Sequence, residues 1–206
     1  MIKVQVKPRG QMSNTMRYSN VMLDIETLDT RASAIVLSIG LCTFGPSPRG
    51  IWEIGEGAYS VLSTKDQQRI GRTTSTDTLD WWSKQSDAAR KVLVEADAAS
   101  PADNRAKLES LLEFFAPKCT VWGNGSDFDN VLVHDLYSSY EFSRPWSHAG
   151  NRCYRTLKAF AGVLGVHIRH IERTGVHHNA YDDAVTQAMI ACSIFNELTG
   201  IIDDDS

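Results

Sequence analysis

The chain has 206 residues, 42% apolar and 22% charged, the profile of one ordinary globular domain with a real core. Its 21 basic and 25 acidic side chains leave a net charge of -4, which excludes a polycation that holds nucleic acid by overall charge. No apolar run reaches the roughly 18 residues of a membrane span, and the N-terminus lacks the apolar stretch of a secretory signal.

Residues 1–19 are polar and punctuated by Pro8, Gly10 and Asn14, and read as an N-terminal arm. Three strand signals follow: Asn20–Glu26, Ile35–Phe44 and Ile51–Leu62. Pro46, Pro48 and Gly50 form the turn between the last two. Spacing this close predicts an antiparallel meander. From Asp77 to Ala116 the pattern is helical. Pro101 opens one helix, with Leu108, Leu111, Leu112 and Phe115 on a stripe. Cys119–Trp122 reads as a short buried strand with a Gly-Asn-Gly exit turn. Phe128–Tyr140 and Thr156–Leu164 read as helices. Ala180–Leu198 is the clearest helix, with Ala184, Ala188, Ala191, Phe195 and Leu198 down one side. The order predicts an α/β fold: a mixed sheet, antiparallel at first, in a single domain over 20–199, with an acidic tail at 200–206. Cys42, Cys119, Cys153 and Cys192 show no metal-ligand spacing, and a reducing cytoplasm is the expected setting.

Chemistry concentrates at three acidic positions. Asp24 and Glu26 are two apart in the first strand, so they share a face while Leu23 and Ile25 take the other. Two acids in an apolar strand are costly unless they are paired or bind a cation. A solvated edge strand is the plainer alternative. Asp127 and Asp129 follow Gly123-Asn124-Gly125-Ser126, where a strand gives way to a helix. A helix cap accounts for one of them. His178 with Asp182 and Asp183 opens the last helix, where acids also suit the helix dipole. Carboxylates from separate elements suit Mg²⁺ or Mn²⁺, and a histidine can take a proton from water near neutral pH.

On these residues the sequence resembles the DEDD superfamily of 3'-5' exonucleases, in its histidine branch (DEDDh), which has a ribonuclease H-like fold. The D-x-E-T motif stands as Asp24-Ile25-Glu26-Thr27. The Phe-Asp step stands as Phe128-Asp129, and H-x-A-x-x-D-A runs from His178 to Ala184. Many members carry Asn four positions before the second-motif aspartate; here Gly125 stands there and Asn124 lies one earlier. Thr78-Leu79-Asp80-Trp81-Trp82 with Gln85, Trp122-Gly123-Asn124-Gly125 and Arg152-Cys153-Tyr154-Arg155-Thr156 look like the subfamily with the mycobacterial-type 3'-5' exoribonuclease and the T-even phage exonuclease A. The resemblance implies a ribonuclease H-like mixed sheet, its first three strands antiparallel and the rest parallel, flanked by helices. It further implies two Mg²⁺ or Mn²⁺ ions held by Asp24, Glu26, Asp129 and Asp183, with His178 as general base. The implied reaction is removal of nucleoside 5'-monophosphates from single-stranded DNA or RNA 3' ends.

Between Arg144 and His178 the balance turns to +5, with Arg144, Arg152, Arg155, Lys158, Arg169 and Arg173 against Glu172. Five of the six histidines also lie there, His148, His167, His170, His177 and His178. This stretch could carry phosphate contacts, with Tyr154 or Trp146 for base stacking. Thr27, Leu28, Trp82, Asn124 and Arg155 are the expected substrate contacts. Adjacent Trp81 and Trp82 cannot both face the core of a helix, so one of them is left for the site or a partner. A homodimer, a phosphodiesterase on very short oligonucleotides, and an inactive nuclease-fold binding module stay open as alternatives.

Overall fold

A computed structural model describes residues 18–166, 171–173 and 175–200. Most of the predicted arm, the tail beyond Gly200, and His167, Arg169 and His170 of the basic stretch lie outside the described residues.

The chain forms a five-stranded sheet in the order β3-β2-β1-β4-β5. Strand β1 (Asn20–Thr27) pairs antiparallel with β2 (Val36–Pro46), and β2 with β3 (Trp52–Val61). On its other side β1 pairs parallel with β4 (Thr120–Gly123), and β4 with β5 (Asn151–Cys153). The mixed α/β sheet therefore follows expectation. The three-residue β5 carries too little pattern to be seen in the sequence.

Helices α1 (Thr64–Arg69), α2 (Thr76–Ser83), α3 (Asp87–Ala98) and α4 (Asn104–Leu111) follow β3. The single helix expected from Pro101 is broken. A 3₁₀ turn, Pro101–Asp103, precedes α4, and another, Leu112–Phe114, ends it. Its stripe nonetheless reaches the core through Leu108, Leu111 and Phe115. Helix α5 (Asp129–Ser139) follows β4, α6 (Tyr154–Val163) follows β5, and α7 (Ala180–Thr199) comes last. Among the described residues no helix is long and apolar enough to cross a membrane.

Strand β1 is buried on both faces, and its alternation splits the core. Val21, Leu23 and Ile25 enter one cluster with Leu108 and Leu111 of α4 and Leu132, Val133 and Leu136 of α5. Met22 enters another with Phe44, Tyr154 and the α7 stripe Ala184, Ala188 and Ala191. A third cluster joins Leu28, Ile35 and Leu37 to Trp82 of α2 and Ala89, Val92 and Ala96 of α3. Trp82 also donates its indole N–H to the Thr27 carbonyl at 2.8 Å, which pins α2 to the end of β1.

Asn179 caps α7 by accepting from the backbone N–H groups of Tyr181 and Asp182. The helix then runs directly against β2. A methyl group on Gly40 would overlap the Ala180 carbonyl and the Tyr181 nitrogen, so only glycine admits this approach. Gly40 lies opposite Asp24 in the β1–β2 register. Gly40→Ala is expected to destabilise the protein by roughly 3 kcal/mol or more, because its neighbour is backbone that cannot rotate away. Gly162→Ala, with open space around it in α6, should change stability by less than about 1 kcal/mol. Urea unfolding midpoints of the two variants check the contrast.

Candidate active site

Four carboxylates converge near the carboxyl ends of β1 and β4, where ligand sites of open α/β sheets lie. Asp24 and Glu26 come from β1, Asp129 from the first position of α5 and Asp183 from the first turn of α7. They are 8%, 7%, 4% and 6% exposed, whereas Asp127 is exposed. Burial thus separates the two acids of the second motif. One carboxylate oxygen each from Asp24, Glu26 and Asp183 lie within 4.8 Å of one another. Glycine 123 ends β4 without a side chain, and a Cβ there would overlap the Asn130 amide and crowd Asp129. The first turn of α5 therefore sits against the strand end.

Electrostatics follow from this crowding. Burial, then the Asp129 and Glu26 charges, push the Asp24 carboxyl well above the usual range. Burial and Asp129 push Glu26 up to about 8. Burial pushes Asp129 up to about 7 despite backbone N–H groups and Arg155, which favour its ionised form. Two contacts counter the strain. Gln187, one turn beyond Asp183, donates to Asp24 Oδ1 at 2.8 Å, and the Arg173 guanidinium pairs with Asp183 Oδ1. Four buried carboxylates held against mutual repulsion fit hard divalent cations, which take oxygen ligands. Cysteine is absent from this set.

His178 stands beside the cluster on a backbone with φ +64°, rare for a non-glycine residue. Its N–H donates to Asp183 Oδ2 at 3.2 Å. Its imidazole stands roughly perpendicular to the indoles of Trp81 and Trp82, with ring centroids 4.7 and 6.5 Å away. Burial, His177 and Arg173 lower its pKa, which favours the neutral ring. Asp182 is a residue that motif spacing passed over. Its Oδ2 accepts from the Val176 N–H at 2.7 Å, and its carboxylate fills the space above Gly175. It thereby ties the loop bearing His178 to α7.

A groove of about 400 Å³ opens beside Glu26, lined by Ile25, Thr27, Thr78, Trp81 and Phe128. Thr27 lies in it as expected. Trp82 and Leu28 do not: both are buried in the third apolar cluster, and the half-exposed indole of Trp81 takes the place expected for Trp82. Tyr154 and Trp146 are likewise core residues, 2% and 4% exposed, and neither offers a face for stacking. Trp146 packs on Phe115 and His134 instead. Arg155 is exposed beside Gly125 and near enough to Asp129 to lower its pKa. Asn124 sits in the same loop with a buried, unpartnered Oδ1.

The raised carboxyl pKa values make a prediction for the cation-free protein. The folded state keeps protons that the unfolded chain releases above about pH 4. Stability should therefore be greatest near pH 4–5 and fall as pH rises toward about 8, the value to which Glu26 is pushed. Mg²⁺ or Mn²⁺ at pH 8 should restore it. Thermal melting across pH with and without EDTA tests this; a Tm flat in pH and indifferent to cation would refute the coupling.

Comparison with known proteins agrees with this geometry. A family model described as the 3'-5' exoribonuclease Rv2179c-like domain matches residues 19–195, from the start of β1 to the last turns of α7. The exodeoxyribonuclease of Enterobacteria phage T4 is 27% identical over 122 residues, which are 56% of this chain and 54% of the phage protein. The chain thus spans about half the length of that relative. The family match covers all four carboxylates and His178, and the chain belongs to the 3'-5' exoribonuclease Rv2179c-like domain family.

Proposed function

We propose that the protein is a divalent-metal-dependent 3'-5' exonuclease that releases nucleoside 5'-monophosphates from single-stranded nucleic acid. The observation that carries this reading is the grouping of the buried Asp24, Glu26 and Asp183 carboxylates, with buried Asp129 near enough to raise the pKa of the first two, an imidazole beside them and a groove opening alongside. Asp24, Glu26, Asp129 and Asp183 would hold two Mg²⁺ or Mn²⁺ ions. Such a pair, when bound, supplies positive charge against a scissile phosphate and acidifies water.

The remaining work falls to side chains. His178 accepts the proton of the attacking water, and its depressed pKa keeps it available at neutral pH. The indole edge of Trp81 limits the arc through which that ring can turn. The groove is of a size for one terminal nucleotide, with Trp81 and Phe128 offering apolar surface to the base. Thr27 stands between base surface and carboxylates. Arg155, with its exposed guanidinium near Asp129, is placed to meet a phosphate further along the strand. The narrow groove also favours a second reading, a phosphodiesterase for oligonucleotides of a few residues. The matched family is named for RNA and the phage relative for DNA, so both sugars belong in the test.

Matched 5'-labelled DNA and RNA oligonucleotides of several lengths, incubated with Mg²⁺, Mn²⁺ or EDTA, test the proposal. A cation-dependent ladder that shortens by single nucleotides is the expected result. A steep loss of rate with length would select the short-substrate reading, and no shortening of any substrate would overturn both. Asp24→Asn should abolish turnover while raising the Tm of the cation-free protein at alkaline pH, since it removes one ligand and one buried group whose ionisation costs stability. His178→Ala should lower kcat by roughly 10²–10⁴. It should also remove the acid limb of the pH–rate profile, which in the unaltered protein lies below the ordinary histidine value of about 6.5.

A further inference from the structure

His177 touches none of the four carboxylates proposed to hold the catalytic ions except Asp183, yet its ring stacks on that of His178. The centroids are 3.8 Å apart and the planes differ by 26°. Consecutive side chains of an extended strand point to opposite faces. His177 and His178 instead form a turn, with His178 on a left-handed backbone, and their rings stack on one side. Conformations of this kind persist where surrounding contacts hold them. Here the Asp182 carboxylate holds the Val176 N–H and the Asp183 carboxylate holds the His178 N–H. A ring nitrogen from each histidine and an Asp183 carboxylate oxygen lie within 4.8 Å of one another.

Two imidazoles and one carboxylate form a different donor set from the all-oxygen cluster of Asp24, Glu26 and Asp183. Hard Mg²⁺ takes oxygen ligands, whereas Zn²⁺ takes imidazole and carboxylate at about 2.0–2.2 Å and completes a tetrahedron with water. The loop is tied to α7 at two points, while exposed His177 keeps the freedom to close the last part of the gap. Asp183 already attracts a cation on this side, since Arg173 pairs with its Oδ1.

We propose that His177, His178 and Asp183 form a zinc site that switches the enzyme off. Zn²⁺ bound there displaces Arg173, occupies a ring nitrogen of His178 and takes Asp183 from the catalytic cluster. Binding depends only on these three side chains. The inhibition rests on the nuclease reading above.

The two halves are tested separately on the full chain. Zn²⁺ binding is measured by competition with a chromophoric chelator under saturating Mg²⁺, for the unaltered protein and for His177→Ala, His177→Gln and Asp24→Asn. The expected result is one tight Zn²⁺ per chain, retained in Asp24→Asn and weakened by about tenfold or more in both His177 variants. In the oligonucleotide assay with excess Mg²⁺, Zn²⁺ should slow the unaltered protein, while the His177 variants, each measured against its own zinc-free rate, resist the inhibition. Equal Zn²⁺ affinity with and without His177 would overturn the site, because the ion would then be held by the carboxylates alone. Inhibition undiminished in the His177 variants would overturn the switch. If no oligonucleotide is shortened, the nuclease reading falls, and the chelator titration still decides whether the ion binds.

Discussion

The approach of α7 to β2 is the contact on which the rest of the site depends. A helix normally packs on a sheet through the side chains between them. At Gly40 there is no side chain on the strand, and the helix presents Ala180, Ala184 and Ala188. Backbone therefore meets backbone at the point that faces Asp24 across the ladder. Asp183 is carried into the range of Asp24 and Glu26, and Gln187 reaches Asp24 from the next turn. Gly123 does a similar service at β4, where the start of α5 delivers Asp129. Two missing side chains thus decide where four present ones meet.

What they produce is a concentration of like charge that the protein alone neutralises only in part. Arg173 and Arg155 bring positive charge, Gln187 brings one hydrogen bond, and the helix termini bring partial charges. Burial nevertheless keeps the carboxyls of Asp24, Glu26 and Asp129 protonated well above their ordinary range. Groups tuned this far from their reference values cluster where chemistry is done. The strain is concentrated in one corner while the apolar clusters around it remain well filled, which is how a stable fold tolerates it.

Much of this was legible before the structure, and the exceptions share a cause. Strand β1, the α7 stripe and the two acids of the D-x-E pair follow from periodicity, which is local. The Phe-Asp step singles out Asp129 over Asp127, and burial of Asp129 beside an exposed Asp127 agrees with it. Trp82 was expected at the substrate and lies in the core, because the order of two adjacent tryptophans is set by which one reaches the Thr27 carbonyl. Tyr154 and Trp146 were read from the charge around them, yet their rings fill gaps beneath α7 and α5. Gln187 reaches Asp24 on another element, Asp182 and Arg173 act across a loop whose shape periodicity does not give, and Gly40 acts by what it lacks. Nothing within a short window of sequence marks such partners.

The alternation of β1 also polices its own pairing. Its odd positions, Val21, Leu23 and Ile25, serve one apolar cluster, and its even positions end in Asp24 and Glu26. A slip of one residue against β2 or β4 would turn both carboxylates into the layer of Leu108 and Leu132 and offer Leu23 and Ile25 to the acidic cluster. Such a chain would lose the acidic cluster and the core together. A population of well-folded but misregistered molecules is thereby excluded: the residues that make the protein useful are the same ones that make its central strand fit in only one way.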